Sequence, residues 1–255
     1  MKQRPSFPAR LNPSPPATKP ASKGSGSNPT VPGRPQGLGM DSAAHRQRMV
    51  QLLQRQGVQD SAVLSAMGTV ERHRFVDSAL VNQAYEDTSL PIGLGQTISK
   101  PGVVSRMIEL LRNGAQGRLG RILEIGTGCG YQAAVLSLLA SEVYSIERLR
   151  GLHDKARENL RPMRLPNVHL LFGDGMVGYA KGGPYAGIIS AAGGEAVPQA
   201  WIDQLAVGGR LVAPVVSGHG KPGGQSLLVL DKTVVGIRQT ILEAVHFVPL
   251  KSGVA

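Results

Sequence analysis

The sequence has little cysteine, few aromatic residues and no long apolar run, and each scarcity excludes a class of protein. Its single cysteine, Cys129, excludes an internal disulfide and favours a cytoplasmic location. No segment approaches the ~18 consecutive apolar residues of a membrane-spanning helix. The first residues also lack the apolar core of a secretory signal. We therefore expect a cytoplasmic protein with no membrane span.

Acidic residues are missing from the first 40 residues, which are rich in Pro, Gly and Ser. This segment contains nine of the 18 prolines, six basic residues and few apolar side chains. Such a composition cannot offset the entropy lost on ordering the chain. We predict a disordered basic tail over residues 1–40 and a folded domain over residues 41–255.

More than half of the net positive charge lies in this tail, which holds +6 of the formal net charge of +11. Aromatic residues make up only 4% of the chain, and residues 41–255 show no stripe of alternating aromatic and basic side chains. Nucleic acid is therefore an unlikely partner except for weak binding by the tail. The six histidines also lack the spacing to cysteines or carboxylates that predicts a metal site.

Apolar strand-like segments alternate with helix-forming segments from residue 121 onward. This alternation, over more than 100 residues, predicts a doubly wound parallel α/β sheet of the Rossmann-like kind. The predicted strands are RILEIG, EVYSIE, VHLLFGD, AGIISAA, GRLVAPVV, SLLVLDK and HFVPL. Ahead of them, we predict helices after Asp41, after Asp60 and near Pro101, with residues 70–92 irregular.

A glycine-rich turn, LEIGTGCGYQ, joins the first strand of this sheet to a helix. Gly126, Gly128 and Gly130 allow a sharp turn and the close approach of a ligand. Ligands of such sheets bind at the carboxyl ends of the strands. The spacing is G-x-G-x-G, whereas the dinucleotide fingerprint is G-x-G-x-x-G. The loop thus predicts a cofactor site that does not hold a pyrophosphate.

Acidic residues follow or end three successive predicted strands, at Glu124, Glu147 and Asp174. A carboxylate at Glu124 would repel a pyrophosphate but suits a cationic ligand. Glu147 is placed to accept the two hydroxyls of a ribose, and Asp174 could accept from an adenine amino group. The pattern favours S-adenosylmethionine. The alternatives are a nicotinamide enzyme, or three solvated loop acids with no ligand.

A second polar segment, GLGQTISKPG, covers residues 93–102. Serine is a preferred helix N-cap, so Ser99 could simply start the helix near Pro101. Alternatively, Ser99 could belong to an active site. The residues alone favour the cap.

Taken together, these segments resemble the protein-L-isoaspartate O-methyltransferase family over roughly residues 42–255. The glycine loop is shared by many methyltransferases, whereas the QTIS segment combined with a late FVPL is specific. The resemblance rests on LPIGLGQTISKP, ILEIGTGCGYQ, YSIERL, GDG, VPQAWIDQLAVGGRLVAPV and VHFVPL. It implies a class I S-adenosylmethionine-dependent methyltransferase fold with an N-terminal helical cap.

The resemblance also implies a reaction and a set of site residues. The enzyme would methylate the α-carboxylate of L-isoaspartyl residues in damaged proteins and peptides. Ser99 would be the active-site residue. Cofactor binding would fall to Gln96, Thr97, Ile98, Glu124, Gly126, Thr127, Gly128, Gly130, Glu147, Asp174 and Gly175. A carboxylate nucleophile is already ionised at pH 7, so the site needs hydrogen-bond donors and no strong base.

The sequence departs from the family pattern at a few positions, including Ala186, Lys251 and the loop 193–195. We interpret Cys129 as a small filler of the cofactor loop and His246 as a packed strand residue. Two other functions remain: a class I methyltransferase acting on RNA or a small molecule, and a basic RNA-binding protein with a vestigial cofactor loop. The intact Glu124, Glu147 and Asp174 argue against the second.

Overall fold

The structure is a computed structural model that describes residues 42–217 and 224–255. The predicted tail, residues 1–40, lies outside the described residues. So does Asp41, the expected cap of the first helix.

Three helices form the predicted N-terminal cap: α1 (Ser42–Arg55), α2 (Ser61–Thr69) and α3 (Pro101–Arg112). Asp60 starts α2 as predicted, because its carboxylate accepts hydrogen bonds from the backbone N–H groups of Ala62 and Val63. Residues 70–89 contain short 3₁₀ segments. A small hairpin follows, made of β1 (Leu90–Gly93) and β2 (Gln96–Ile98), which the sequence did not predict.

Behind the cap lies a seven-stranded sheet in the described part of the chain. Its strands are β3 (Leu119–Ile125), β4 (Ala140–Glu147), β5 (Val168–Phe172), β6 (Tyr185–Ser190), β7 (Leu205–Val216), β8 (Gln225–Thr233) and β9 (Gly236–Val245). Their order is β5-β4-β3-β6-β7-β8-β9. Neighbouring strands from β5 to β7 are parallel, and β8 is antiparallel to both of its neighbours, β7 and β9. Three helices connect strands: α4 (Tyr131–Ser137), α5 (Arg150–Leu160) and α6 (Gln199–Gln204). The predicted doubly wound sheet is confirmed.

The strand order predicts a ligand site at the carboxyl ends of the central strands. The chain runs from β3 outward to β5 and then returns to β6 on the other side of β3. A crevice forms at such a reversal, outside the carboxyl ends of the strands. The glycine-rich loop leaves β3 at this point.

The prediction of a strand at HFVPL is wrong. Residues 246–250 are irregular apart from a single bridge between Pro249 and Gly193, and Phe247 is buried. The last strand is instead β9, which pairs with β8. Most of β9 is exposed, so it lacks the apolar pattern by which a strand is predicted from sequence.

The core lies on both faces of the sheet. On the cap side, Met67, Phe75, Met107 and Tyr131 are fully buried together. On the opposite face, Trp201 is fully buried and its Nε1 donates a hydrogen bond of 2.8 Å to the carbonyl of Gly175. This bond ties α6 to the turn that follows β5, and so helps to shape the ligand edge of the sheet.

Candidate active site

The glycine-rich loop adopts a conformation that glycine favours. Gly126, Gly128 and Gly130 have φ values of 88°, 56° and 90°. A Cβ at Gly130 would lie 3.0 Å from Leu160 Cδ1, so the glycine also lets α5 pack closely. The Thr127 hydroxyl lies 2.6 Å from that of Ser145 on β4. The loop is thus held to the neighbouring strand while its backbone stays open.

A small cleft of about 380 Å³ opens at the carboxyl ends of β3 and β4. Six of the predicted cofactor-binding residues line it: Gln96, Thr97, Gly126, Gly128, Glu147 and Gly175. The other five, Ile98, Glu124, Thr127, Gly130 and Asp174, are not among its lining residues.

The apolar walls of the small cleft were missed by sequence reasoning. They include Ile92, Leu94, Ile146, Leu149 and Leu152. These residues come from β1, the β1–β2 turn, β4 and the start of α5, so no single motif contains them. The sequence signal that could have found four of them is their place in LPIGLGQTISKP and YSIERL, two of the segments that carry the resemblance.

Glu147 is fixed at the end of β4 by two backbone donors. Its Oε2 accepts from the N–H of Gly128, and its Oε1 accepts from the N–H of Leu149, both at 2.9 Å. The residue is 5% exposed. Because each carboxylate oxygen can accept more than one hydrogen bond, the side chain retains acceptor capacity toward the cleft.

Glu124 lies beneath the glycine loop and is 0% exposed. Its Oε2 accepts from the Ser145 hydroxyl. Burial raises the pKa of Glu124 to about 8; Ser145 and the nearby Gln132 amide oppose the shift, while the charge of Glu147 adds to it. Among the described residues, Glu124 Oε1 and Gln132 Nε2 have no hydrogen-bond partner of good geometry.

Asp174 is engaged by the last residues of the chain. Its Oδ1 accepts from the N–H of Met176 at 2.8 Å, and its Oδ2 accepts from the N–H of Gly253 at 2.6 Å. The Arg148 side chain holds the same segment by donating to the carbonyl of Gly253 at 3.0 Å. Asp174 therefore anchors a segment that follows Lys251, a residue of the cleft wall.

A large cleft of about 890 Å³ adjoins the small one. Ser99 lines the large cleft, and Thr97, Ala191 and Val248 line both. The two clefts therefore meet at these three shared residues. A ligand in one cleft can contact a ligand in the other only across this junction.

Ser99 does not cap α3, so the cap that the residues alone favour is wrong. The N-cap position of α3 is Lys100, without a side-chain cap bond. The N–H of Gly102 donates instead to Asp87 Oδ1 at 2.7 Å. Among the described residues the Ser99 hydroxyl has no hydrogen-bond partner, so it is available to a ligand in the large cleft.

Three basic side chains line the large cleft, but they are not equally free. Arg106 Nε lies 2.9 Å from Glu243 Oε1, and its Nη1 lies 3.2 Å from Glu109 Oε2. Lys100 Nζ is 3.9 Å from Asp87 Oδ2. The third, His246, is exposed in this cleft, so the expectation of a packed strand residue is wrong.

Cys129 is a buried filler of the loop, as predicted. Burial raises the pKa of its thiol to about 11, so the reactive thiolate is scarce at neutral pH.

Within residues 42–217 and 224–255, no group of three His, Cys, Asp or Glu side chains could hold a metal ion.

Over the same described ranges, no helix is both long and apolar enough to cross a membrane.

Comparison with known proteins yields one consistent set of similarities. A family model described as protein-L-isoaspartate(D-aspartate) O-methyltransferase matches residues 44–255. A protein-L-isoaspartate O-methyltransferase of Methylibium petroleiphilum is 61% identical over 221 residues, which are 86% of this chain and 81% of that protein.

Two solved structures share the fold. One is a protein-L-isoaspartate O-methyltransferase with a TM-score of 0.72 and 26% identity; the match covers 81% of this chain and 66% of that protein. The other, from Plasmodium falciparum, was proposed to be such an enzyme and was solved in complex with S-adenosyl-L-homocysteine. Its TM-score is 0.70 at 24% identity, covering 81% of this chain and 98% of that one.

Proposed function

The chain belongs to the protein-L-isoaspartate(D-aspartate) O-methyltransferase family, and we propose that its two adjoining clefts divide the reaction between them. The protein is an S-adenosylmethionine-dependent repair enzyme that methylates the α-carboxylate of L-isoaspartyl residues. In our proposal the small cleft holds the cofactor. The large cleft holds the isoaspartyl residue of a damaged protein or peptide.

The residues of the small cleft fit S-adenosylmethionine. Its volume of about 380 Å³ is within the usual range of ligand pockets, roughly 300–1,000 Å³. Gly126 and Gly128 present backbone without side chains, and Glu147 offers acceptors to a ribose. Bound S-adenosylmethionine supplies a methyl group activated by a sulfonium.

The remaining predicted cofactor residues have defined supporting places. Gln96, Thr97 and Gly175 would contact the cofactor from the cleft wall. Glu124, Thr127 and Gly130 lie in or beneath the loop and would hold its shape. Ile98, the last residue of β2, is buried, and Asp174 would act through the last segment of the chain.

On the substrate side, the chain supplies hydrogen-bond donors and positive charge. In our proposal the Ser99 hydroxyl donates to the substrate carboxylate and aligns it. Lys100 brings positive charge to the same cleft and would attract that carboxylate, and the His246 ring could donate a hydrogen bond to it. The carboxylate is ionised at neutral pH, so the residues need only position it and exclude water.

The observation that carries this assignment is the position of Ser99. It is two residues from Thr97, which lines both clefts, and its hydroxyl is not used by helix α3. A group held by Ser99 is therefore close to the junction through which the methyl group must pass.

The test uses labelled S-adenosylmethionine and two peptides that differ only in aspartyl or isoaspartyl linkage. We expect the isoaspartyl peptide to gain a base-labile methyl ester and the aspartyl peptide almost none. Equal labelling of the two peptides, or labelling of neither, would contradict the assignment.

Ser99→Ala tests the site itself. We expect the turnover number to fall roughly 10- to 100-fold, from about 1.4–2.7 kcal/mol of lost transition-state stabilisation. Because Ser99 makes no cap bond, the melting temperature should stay near that of the wild type. Ser65→Ala, at an exposed position of α2, is the matched control.

We also propose that the enzyme acts in the cytoplasm. The single, buried Cys129 supports a reducing compartment. Fractionation of source cells with an antibody to the protein tests this, and recovery with the membrane or outside the cell would contradict it.

A further inference from the structure

Asp87 lies in the segment ahead of β1, and its carboxylate contacts three groups at the rim of the large cleft. Oδ1 accepts from the N–H of Gly102 at 2.7 Å, and Oδ2 accepts from Gln56 Nε2 at 3.0 Å. Lys100 Nζ lies 3.9 Å from Oδ2. The side chain is only 17% exposed. Asp87 thus links the residue after α1 to the first turn of α3, beside Ser99.

The bond from Gly102 to Asp87 occupies an N–H that a serine cap could otherwise use. The first N–H groups of a helix have no partner within it. Pro101 has no N–H, so Gly102 carries the first one in α3. It is the third residue after Ser99, which is the spacing at which a serine cap accepts a hydrogen bond. Asp87 occupies that N–H instead.

The lack of a side chain at Gly102 makes room for the Asp87 carboxylate. A Cβ at Gly102 would lie 2.9 Å from Asp87 Oδ1 and 3.0 Å from Gln56 Oε1. A side chain at position 102 would therefore push the carboxylate away, and the absence of one lets it approach.

The segment that contains Asp87 is held by a hydrogen bond from the buried side chain of Arg72, which is 0% exposed. Arg72 Nε donates to the carbonyl of Ala84 at 2.8 Å. Its guanidinium carbon lies 4.8 Å from the centre of the Tyr131 ring, at the start of α4. Arg72 therefore links the segment that precedes Asp87 to the helix that follows the cofactor loop.

We propose that Asp87 is a positioning residue for methyl transfer: by capping α3 it keeps the Ser99 hydroxyl free for the substrate carboxylate. This inference rests on the proposed role of Ser99. Without Asp87, the N–H of Gly102 donates to the Ser99 oxygen and draws the side chain toward the helix, so that its O–H no longer points at the substrate carboxylate. Asp87 does not line the small cleft, so cofactor binding does not depend on it.

The test is a double-mutant cycle with kinetics on the isoaspartyl peptide. Asp87→Ala should lower kcat about 10-fold and leave KM for S-adenosylmethionine unchanged. Asp87→Asn should recover most of the activity, because its amide oxygen can still accept from Gly102. Adding Ser99→Ala to Asp87→Ala should cost much less than Ser99→Ala costs in the wild type.

A second variant covers the case in which Asp87→Ala does not fold. Gly102→Ala keeps the carboxylate but displaces it, and should reproduce the loss of kcat. Asp203→Ala, at an exposed acid of α6, is the control that should leave kcat unchanged.

Three results would overturn the inference. One is a lower melting temperature with intact kcat in Asp87→Ala and in Gly102→Ala, which makes Asp87 merely structural. The second is full additivity of the two losses. The third is an unchanged kcat in Ser99→Ala. In each case selective labelling of the isoaspartyl peptide would leave the proposed enzymatic function standing.

Discussion

At the residue scale, the three strand-end acids occupy three different environments. Glu124 is paired in register with Ser145 on β4, and Glu147 lies two residues further along that strand. The two glutamates therefore share one face of the sheet, one pleat apart. Glu124 is covered by the glycine loop, whereas Glu147 reaches the small cleft. Both acids are buried, but because of this offset Glu147 lines the small cleft and Glu124 does not.

Glu147→Ala tests the acid that lines the small cleft. The change removes the acceptors proposed for the ribose and releases the N–H of Gly128. Charge-assisted hydrogen bonds contribute roughly 1.5–3 kcal/mol, so affinity for S-adenosylmethionine should fall about 10- to 150-fold. Calorimetry measures it. Glu142→Ala, at a half-buried position near the start of the same strand, is the control, and an unchanged affinity in Glu147→Ala would refute the role.

Glu124→Gln tests the buried acid through the pH dependence of stability. Folding raises the pKa of Glu124 from an ordinary 4.5 to about 8. The folded protein therefore holds a proton that the unfolded chain has lost, and stability falls as pH rises from about 4.5, levelling off above about 8. The slope is at most ~1.4 kcal/mol per pH unit.

The measurement is urea denaturation at pH 5.5, 7 and 8.5, with wild type and variant compared. The neutral Gln side chain should remove this part of the pH dependence, so the variant gains stability relative to the wild type as pH rises. A constant difference between the two proteins at all three pH values would contradict the buried, protonated carboxyl.

At the scale of elements, the placement of α3 decides where the site lies. Its last turn is anchored by Arg112, whose side chain is only 4% exposed. Arg112 Nε lies 2.7 Å from Asp60 Oδ2, and its other nitrogens donate to the carbonyls of Gly117 and Ala115. Since Asp60 also caps α2, one ion pair sets the relation between α2 and α3 and the loop before β3.

Arg112→Ala should therefore destabilise the protein by roughly 3–5 kcal/mol, because it leaves the mostly buried carboxylate of Asp60 without its partner. The midpoint of urea unfolding measures this change. Arg157→Ala, which breaks an exposed pair with Asp154, should cost roughly 0.5 kcal/mol or less. Equal midpoints for the two variants would show that Arg112 is not an anchor.

At the scale of the whole molecule, positive charge is concentrated near the start of the chain, where residues 1–40 hold +6 of the formal net charge of +11. Residues 1–40 hold six basic residues and no acid, and they lie outside the described structure. The family match begins at residue 44. We therefore predict that the first 39 residues contribute charge but not stability.

Removing residues 1–39, so that the chain starts at Met40, tests this prediction. Melting temperature and activity on a small neutral peptide should stay at wild-type values. Weak RNA binding by the full chain should fall, and it should be salt-sensitive because electrostatic attraction is screened beyond ~8 Å at physiological salt. Unfolding of the shortened protein, or loss of methyl transfer, would place the domain boundary before residue 40.

Much of the fold follows from local patterns in the sequence. The alternation of apolar segments predicted β3 to β8, the G-x-G-x-G spacing predicted the turn after β3, and Asp60 marked the start of α2. Strand β9 and the irregular course of residues 246–250 were not predictable. An edge strand that is mostly exposed has no apolar periodicity, and its place is set by pairing with β8.

In the candidate site, too, some features follow from local sequence and others depend on tertiary contacts. The sequence by itself determined the chemistry available: a glycine loop, acids at strand ends and a serine before Pro101. Only the tertiary structure decided which of two glutamates lines the small cleft and which side chain caps α3. Glu147 reaches the cleft while Glu124 is covered, and Asp87 caps α3 in place of Ser99. The reason is physical: these outcomes depend on contacts between residues 15 or more positions apart, and no local periodicity encodes them.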